Sequence, residues 1–345
     1  MRINACISKS VCASVALLIS LAAFSVSRAA SFNSQTQDPS QPKLSADESK
    51  AVSAINAAPD AAAKLAAAEE FVKKYPKSEA RLQVAEYVAG QIAQLKDTAQ
   101  KLALTDSFQK VFTGDKEIDA IKRVILEAYI AADRMDDAFS LAATMLTKNP
   151  EDLRVLEQMT FTGTEEVKRQ HPKYLAQTEQ YAAKAIALIE ANRKPAFMDE
   201  ASWSTDKAAL PLLYQQTAIL SLLSGKPAEA KAKLEKAIAL NAAEPFNYVL
   251  LGSIFNDDYQ QMAQTYRQMP ESSQKQELWK KITAVLDDVI DKYAHAVGLS
   301  EGRPEYQKLH DQVLQDLTSY YKFRHSDSTA GLQQLIDKYK IPAKP

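Results

Sequence analysis

The chain has 345 residues, and its 42 basic and 43 acidic residues give a net charge of −1. Nucleic-acid binding requires a basic face, so this near-neutral balance predicts no nucleic-acid partner. Only eight glycines occur, which leaves few positions for tight β-hairpins and favours an all-α fold.

The first 29 residues are predicted to be a secretory signal peptide. Arg2 and Lys9 precede an uncharged, mostly apolar stretch at residues 11–26, and small residues before Ala30 suit cleavage at that point. An uncleaved membrane anchor is the alternative, but the stretch is shorter than the roughly 20 residues that span a bilayer. We therefore expect an exported protein, periplasmic or secreted, with no transmembrane segment after cleavage.

The mature chain is predicted to lack cysteine, because Cys6 and Cys12 both lie in this leader. It can then form neither a disulfide nor a thiolate metal site. Loss of the leader removes three basic residues and no acid, which lowers the net charge from −1 to −4. The next segment, residues 30–44, is rich in serine, glutamine and proline and too poor in apolar side chains to pack, so we predict a disordered tether.

From residue 45 onward, helical periodicity continues almost to the C-terminus. Two landmarks recur 34 positions apart: Tyr214 and Ala218 are followed by Tyr248 and Gly252. A 34-residue period, with an aromatic, a leucine, a small residue and an aromatic on the first helix of each pair, is typical of tetratricopeptide repeats (TPRs). Residues 248–255 carry this first-helix pattern.

The second-helix half of the pattern also occurs. Ala138 and Pro150 follow a predicted turn, and Ala230, Leu234 and Ala237 follow another. In these residues the chain resembles the TPR superfamily, and in particular exported bacterial TPR proteins. The resemblance implies an all-α solenoid of helical hairpins wound as a right-handed α-α superhelix.

The predicted organisation follows from the extent of this pattern. Residues 118–269 are expected to hold TPR-like repeats, with insertions at residues 161–174 and 192–205. Residues 45–117 are expected to form an N-terminal helical region of degenerate repeats. Two long apolar stripes predict that residues 270–345 form a C-terminal cap of long helices.

Gly252 needs a physical reason, because glycine inside a helix costs about 1 kcal/mol relative to alanine. We predict that it lies where two helices cross, since a small residue lets the backbones approach and the neighbouring side chains interlock. Ala218 and Ala230 have the same expected role, and Tyr248 is expected to fill the space around the crossing.

Candidate catalytic residues are few. Asp291 and His295 lie one helical turn apart and are the best candidate acid–base or metal pair, but we interpret them as a solvated charge pair beside an apolar stripe. Phosphate-loop, zinc-protease and nucleophile-elbow motifs are absent. We predict no catalytic residue, no cofactor and no metal.

The resemblance implies an exported, non-catalytic scaffold that binds a protein or peptide, expected to be a cell-envelope component, through a concave surface. Positions one step beyond the packing residues are predicted to face that surface. They are Arg123, Glu127, Arg154, Glu157, Phe161, Gln215, Ile219, Phe246, Val249, Ser253 and Asn256. Phe161 and Phe246 are the predicted anchors, because aromatic side chains offer a large contact area at low entropic cost.

A helical hydrolase or polysaccharide-active enzyme is the alternative hypothesis. Its site would lie in the insertions, where Trp203 is accompanied by Asp199, Glu200 and Asp206. Glycosidase chemistry would place two carboxylates about 5–10 Å apart in a closed cleft, whereas the scaffold hypothesis predicts that Trp203 is a buried plug between repeats. The sequence identifies neither the partner nor the oligomeric state.

Overall fold

The computed structural model describes residues 44–196 and 198–341, and these residues contain helices and turns but no β-strand. The α-helices are α1 Ala46–Ala57, α2 Ala61–Lys74, α3 Arg81–Ala93, α4 Thr98–Val111, α5 Asp115–Ala131, α6 Met135–Lys148, α7 Leu153–Lys168, α8 Leu175–Glu190, α9 Glu200–Lys207, α10 Leu210–Leu223, α11 Pro227–Leu240, α12 Pro245–Gln268, α13 Ser273–Ser300, α14 Gln307–Arg324 and α15 Leu332–Asp337. Short 3₁₀ turns at Pro172–Tyr174 and Pro304–Tyr306 precede α8 and α14. The prediction of an all-α fold is confirmed for the described residues.

Two sequence-based predictions concern the N-terminal part of the chain. The signal peptide at residues 1–29 and nearly all of the tether at residues 30–44 are outside the described residues. Among the helices from α1 to α15, none combines the length and the apolar character needed to cross a membrane.

Local sequence signals set many helix ends. The backbone N–H of Glu48 donates to Ser45 Oγ at 3.2 Å, and the Ser45 backbone N–H donates to the Glu48 carboxylate at 2.9 Å, which forms a capping box at α1. Asp60 and Asp97 cap α2 and α4 by accepting from backbone N–H groups. Gly225 ends α10 with a φ of 70°, a conformation that glycine adopts without steric cost.

The described residues divide into two compact units. The first unit comprises residues 44–155 and contains α1 to α6, and the second unit comprises residues 156–341 and contains α8 to α15, with α7 starting just before the division. The predicted limits after residues 117 and 269 do not coincide with this division. Residue 117 lies within α5, and α12 and α13, on either side of residue 269, pack extensively against each other.

The first unit has a continuous apolar core in which Phe71, Phe108 and Ile121 are buried. An ion pair joins α3 to α5: Arg81 Nε donates to Glu117 Oε1 at 2.7 Å and Arg81 Nη2 donates to Glu117 Oε2 at 3.0 Å. Arg81 is the first residue of α3 and Glu117 is the third of α5. The two packed helices therefore begin at the same end and run side by side.

In the second unit, α10 and α11 form the predicted TPR-like hairpin. The small or apolar residues Ala218, Ala230, Leu234 and Ala237 are all fully buried, as expected for residues at a close helix crossing. The hairpin is antiparallel, because Lys236 Nζ near the end of α11 donates to the hydroxyl of Tyr214 near the start of α10 at 3.1 Å.

The crossing predicted at Gly252 is confirmed. A Cβ added to Gly252 of α12 would lie 2.3 Å from Cε1 of Tyr293 on α13, so the tyrosine ring occupies the space that any side chain would need. Farther along the same pair, Tyr266 of α12 contacts Trp279 of α13. Contacts that move forward along α12 and backward along α13 show that the two long helices are antiparallel.

The two predicted insertions are partly helical. Residues 161–168 continue α7, and α9 begins within residues 192–205. The C-terminal region contains the predicted long helices, with 28 residues in α13 and 18 in α14. Pro304 starts a 3₁₀ turn before α14, because its missing N–H and fixed φ suit the first position of a helical segment.

Candidate functional site

A groove of about 610 Å³ opens in the first unit. Its walls come from α3, from α5 and from the end of α6 with the residues that follow it. Its lining consists of Glu86, Ala89, Gly90, Ala93, Asp119, Ala120, Lys122, Arg123, Val124, Glu127, Met145, Lys148, Asn149 and Asp152. Two of the predicted partner-binding residues, Arg123 and Glu127, are among them.

The side of the groove formed by α3 carries small residues. Ala89, Gly90 and Ala93 follow the spacing that places residues on one face of a helix, and Ala120 of α5 also belongs to the lining. Beyond α3 itself, no described atom lies within 4 Å of a Cβ added to Gly90. Unlike Gly252, Gly90 is therefore not required by helix packing within the described residues, and it leaves the backbone of α3 accessible from the groove.

The three cations of the groove are paired with acids inside it. Lys122 Nζ lies 2.9 Å from Asp119 Oδ1, and Lys148 also pairs with Asp119. Arg123 Nη2 lies 3.6 Å from Asp152 Oδ2. Burial raises the pKa of Asp119, but the hydrogen bonds from the two lysines outweigh it and hold that pKa below its ordinary value. Asp119 is therefore ionised at neutral pH and neutralises part of the lysine charge.

The groove's other two acids, Glu86 and Glu127, are exposed, and neither forms an ion pair within residues 44–196 and 198–341. Glu86 lies one helical turn before Gly90 on α3, and Glu127 lies on α5. All three residues line the same groove.

Sequence reasoning did not include Glu86 or Gly90 among the site residues. Both lie in α3, within the region predicted to hold degenerate repeats, where no partner-binding position was assigned. One signal was present: Gly90 interrupts a helical pattern with a glutamate one turn before it. That signal does not distinguish an open glycine from a packed one, because the distinction depends on residues of other helices.

Three predicted partner-binding residues lie on α7. Arg154 is exposed, whereas Glu157 and Phe161 are half-buried. These positions stay predictions, and the first unit's groove does not include them.

In the second unit, Gln215, Ile219 and Asn256 are buried. Gln215 Nε2 donates to Asn247 Oδ1 at 2.9 Å, and the hydroxyl of Tyr320 donates to Asn256 Oδ1 at 2.7 Å. Partner binding at these three positions has no support from the structure, because α12 and α14 supply the groups that cover the two polar side chains.

The other three predicted residues of the second unit lie on α12. Phe246 and Val249 are half-buried and pack against the apolar cluster that includes residues of α13. The hydroxyl of Ser253 donates to the Leu250 carbonyl of its own helix at 2.8 Å. Phe246 therefore contributes to helix packing in addition to any role as the predicted anchor.

The interpretation of Asp291 and His295 as a solvated charge pair is wrong. The His295 ring is stacked between Tyr248 and Tyr339, with ring centroids 3.7 Å and 4.1 Å away. Asp291 accepts a hydrogen bond from the hydroxyl of Tyr339 and lies 2.9 Å from Lys292 Nζ. Burial lowers the pKa of His295 to about 4, against the opposing effect of the Asp291 carboxylate, so at neutral pH this imidazole is an uncharged part of the packing.

The residues considered for the enzymatic alternative have structural contacts. Trp203 is 2% exposed, as predicted for a buried plug. Asp199 Oδ1 accepts from the Ser202 backbone N–H at 2.7 Å and so caps α9, and exposed Glu200 pairs with Lys194 at 3.0 Å. Among the described residues, no three or more His, Cys, Asp and Glu side chains gather in a way that could hold a metal ion.

Comparison with known proteins gives likenesses among solved structures only. No protein-family model matches the chain, and no curated protein matches it significantly. Among solved structures, the chain is similar to a tetratricopeptide repeat protein from Parabacteroides merdae, with a TM-score of 0.38 and 13% sequence identity. The match covers 84% of this chain and 95% of that chain. Function is inferred from the groove.

Proposed function

We propose that the protein is a non-catalytic scaffold that binds a protein or peptide segment in the groove between α3, α5 and the end of α6. The observation that carries this proposal is the open space above Gly90, in a groove of about 610 Å³. TPR-like helical pairs commonly present such surfaces to protein partners. Arg123 and Glu127, which the sequence selected as partner-binding residues, line this groove.

The chemistry of the lining favours a protein segment over a small molecule or a substrate. Small-molecule pockets are lined mainly by hydrophobic and aromatic side chains, whereas half of this lining is charged and none of it is aromatic. The lining also includes no histidine, cysteine, serine, threonine or tyrosine, so it offers no imidazole, thiol or hydroxyl nucleophile. Two of its four acids, Asp119 and Asp152, already pair with cations.

Export is a second part of the proposal and is supported by the sequence alone. The leader at residues 1–29 suits cleavage before Ala30, so we place the mature protein in the periplasm or outside the cell, with a cell-envelope component as partner. Mass spectrometry of the protein purified from its native host should give an N-terminus at Ala30. An N-terminus at Met1 would contradict export by cleavage.

The groove is tested with a random peptide library selected on the full chain. Peptides that bind the native protein should bind the Gly90→Phe variant at least tenfold more weakly, because the added ring occupies the groove. Gly90→Ala is the matched control, since a single methyl group leaves most of the groove open. Both variants should keep the native circular dichroism spectrum, because nothing outside α3 lies within 4 Å of the added Cβ. Equal binding of every selected peptide to the native and Gly90→Phe proteins would place the binding surface elsewhere.

A further inference from the structure

The three groove cations are poorly placed to bind an acidic partner. Lys122 and Lys148 share Asp119, and Arg123 lies beside Asp152. A carboxylate ligand would have to compete with these internal acids for the same cations. Recognition of an acidic segment or of a terminal carboxylate is therefore disfavoured at this groove.

Glu86 and Glu127, in contrast, are well placed to bind a basic partner. Both carboxylates are exposed at the groove and form no ion pair with any described cation. They lie on different helices, α3 and α5, and line the same groove as Gly90. A cationic side chain lying over Gly90 can therefore approach carboxylates on both walls without displacing an existing pair.

The small residues beside these acids fit the rest of a long cationic side chain. Lysine and arginine pack their methylene groups on apolar surface while the charged end stays in water. Ala93, one turn beyond Gly90, supplies apolar surface, and the absent side chain of Gly90 lets the ligand approach the backbone of α3. The groove is thus complementary in shape and in charge to a basic side chain.

We propose that this groove selects a positively charged segment of the partner, in which a lysine or arginine lies over Gly90 and pairs with Glu86 and Glu127. This inference rests on the proposed function and adds the charge of the ligand to it. Exposed ion pairs are individually weak, so each acid contributes a roughly two- to fivefold effect on affinity. Salt weakens such pairs, and binding falls as the ionic strength rises.

The probes are three fluorescent, acetylated and amidated ten-residue peptides that alternate alanine with lysine, glutamine or glutamate. Fluorescence anisotropy with the full chain should rank them with the lysine peptide tightest and the glutamate peptide weakest. The double variant Glu86→Gln with Glu127→Gln should bind the lysine peptide about tenfold more weakly and should lose most of the salt dependence. Glu79→Gln is the matched control, because Glu79 is an exposed acid of the same unit outside the groove.

The outcomes separate the two proposals. Preference for the glutamate peptide, equal binding of all three peptides, or an equal loss of affinity in Glu79→Gln would overturn the charge selection. Peptides from the library that respond to Gly90→Phe but show no excess of lysine or arginine would also overturn it, while the proposed function would stand. A library in which no peptide responds to Gly90→Phe would overturn the proposed function itself.

Discussion

Alanine in place of Gly252 should destabilise the protein, whereas the same substitution at Gly90 should stabilise it. Both glycines lie inside α-helices, where alanine is favoured over glycine by about 0.8–1.0 kcal/mol. The local effect of the two substitutions is therefore the same. The opposite outcome that we expect comes from what the new methyl group meets on a neighbouring helix.

The magnitude at Gly252 follows from the distance to Tyr293. The added Cβ would lie 2.3 Å from Cε1 and 2.5 Å from Cδ1, whereas carbon atoms in contact are normally about 3.5–4.0 Å apart. The ring must move by more than about 1 Å, yet Tyr293 is 3% exposed and packs against Tyr320. Overpacking costs about 1–3 kcal/mol, and the short distances favour the upper end. After the propensity gain, a net loss of about 2 kcal/mol is expected.

Urea denaturation followed by circular dichroism measures both effects as shifts of the unfolding midpoint. Gly90→Ala should raise the free energy of unfolding by about 1 kcal/mol, because its new methyl group meets no other helix. Tyr293→Leu, which removes the ring from the crossing, should reduce the cost of Gly252→Ala and leave the effect of Gly90→Ala unchanged. This double-mutant cycle isolates the contact between residues 252 and 293. Stabilisation by Gly252→Ala in the native background would refute the close crossing.

Three further predictions test burial and charge. Glu117→Gln should lower the free energy of unfolding at pH 7 by about 1–3 kcal/mol, because Arg81 loses its charged partner. The hydrogen bond from Arg81 lowers the pKa of Glu117, so this difference should shrink as the pH falls below about 4.5. Burial lowers the pKa of His295 to about 4. The contribution of its neutral imidazole to the free energy of unfolding is therefore fully present above about pH 6.5 and is lost as the pH falls toward 4. His295→Gln should flatten that pH dependence. Acrylamide should quench Trp279, which is 45% exposed, far more than Trp203, which is 2% exposed, as fluorescence of Trp203→Phe and Trp279→Phe will show.

Each of these predictions has a contradicting result. An unchanged urea midpoint at pH 7 in Glu117→Gln would mean that the ion pair contributes no net stability. Parallel pH profiles of the native protein and His295→Gln between pH 4 and 6.5 would mean that the imidazole titrates equally in the folded and unfolded chains. Equal quenching of the two single-tryptophan variants would contradict the burial of Trp203.

Sequence periodicity predicted the helical pairs because the signal is local. The 34-residue recurrence of Tyr214 at Tyr248 identified the start of α10 and α12, and Gly252 was predicted at a crossing because a helical glycine has an intrinsic cost. The same reasoning selected Arg123 and Glu127, which line the groove. The helical pairs and the crossing at Gly252 were predictable because helix propensity and apolar spacing act over three or four residues.

The candidate site was predicted only in part, because exposure depends on residues far away in the sequence. Asn256 was assigned to a partner surface, but Tyr320, 64 positions later, donates a hydrogen bond to it in a buried contact. His295 was assigned to solvent, but it is stacked against Tyr339 at the other end of the C-terminal region. Neither contact leaves a trace in the local pattern around the residue that it covers.

The amino-acid sequence by itself determined the all-α character of this protein, its helical pairs and the small residue at the α12–α13 crossing, since these depend on propensity and on short-range spacing. Tertiary structure alone decided which acids are neutralised by cations, which glycine is open and which is packed, and where a groove remains. The physical reason is that ion pairing and burial are set by the neighbour across a helix interface. For Arg81 and Glu117, which align α3 and α5 beside the groove, that neighbour is 36 positions away.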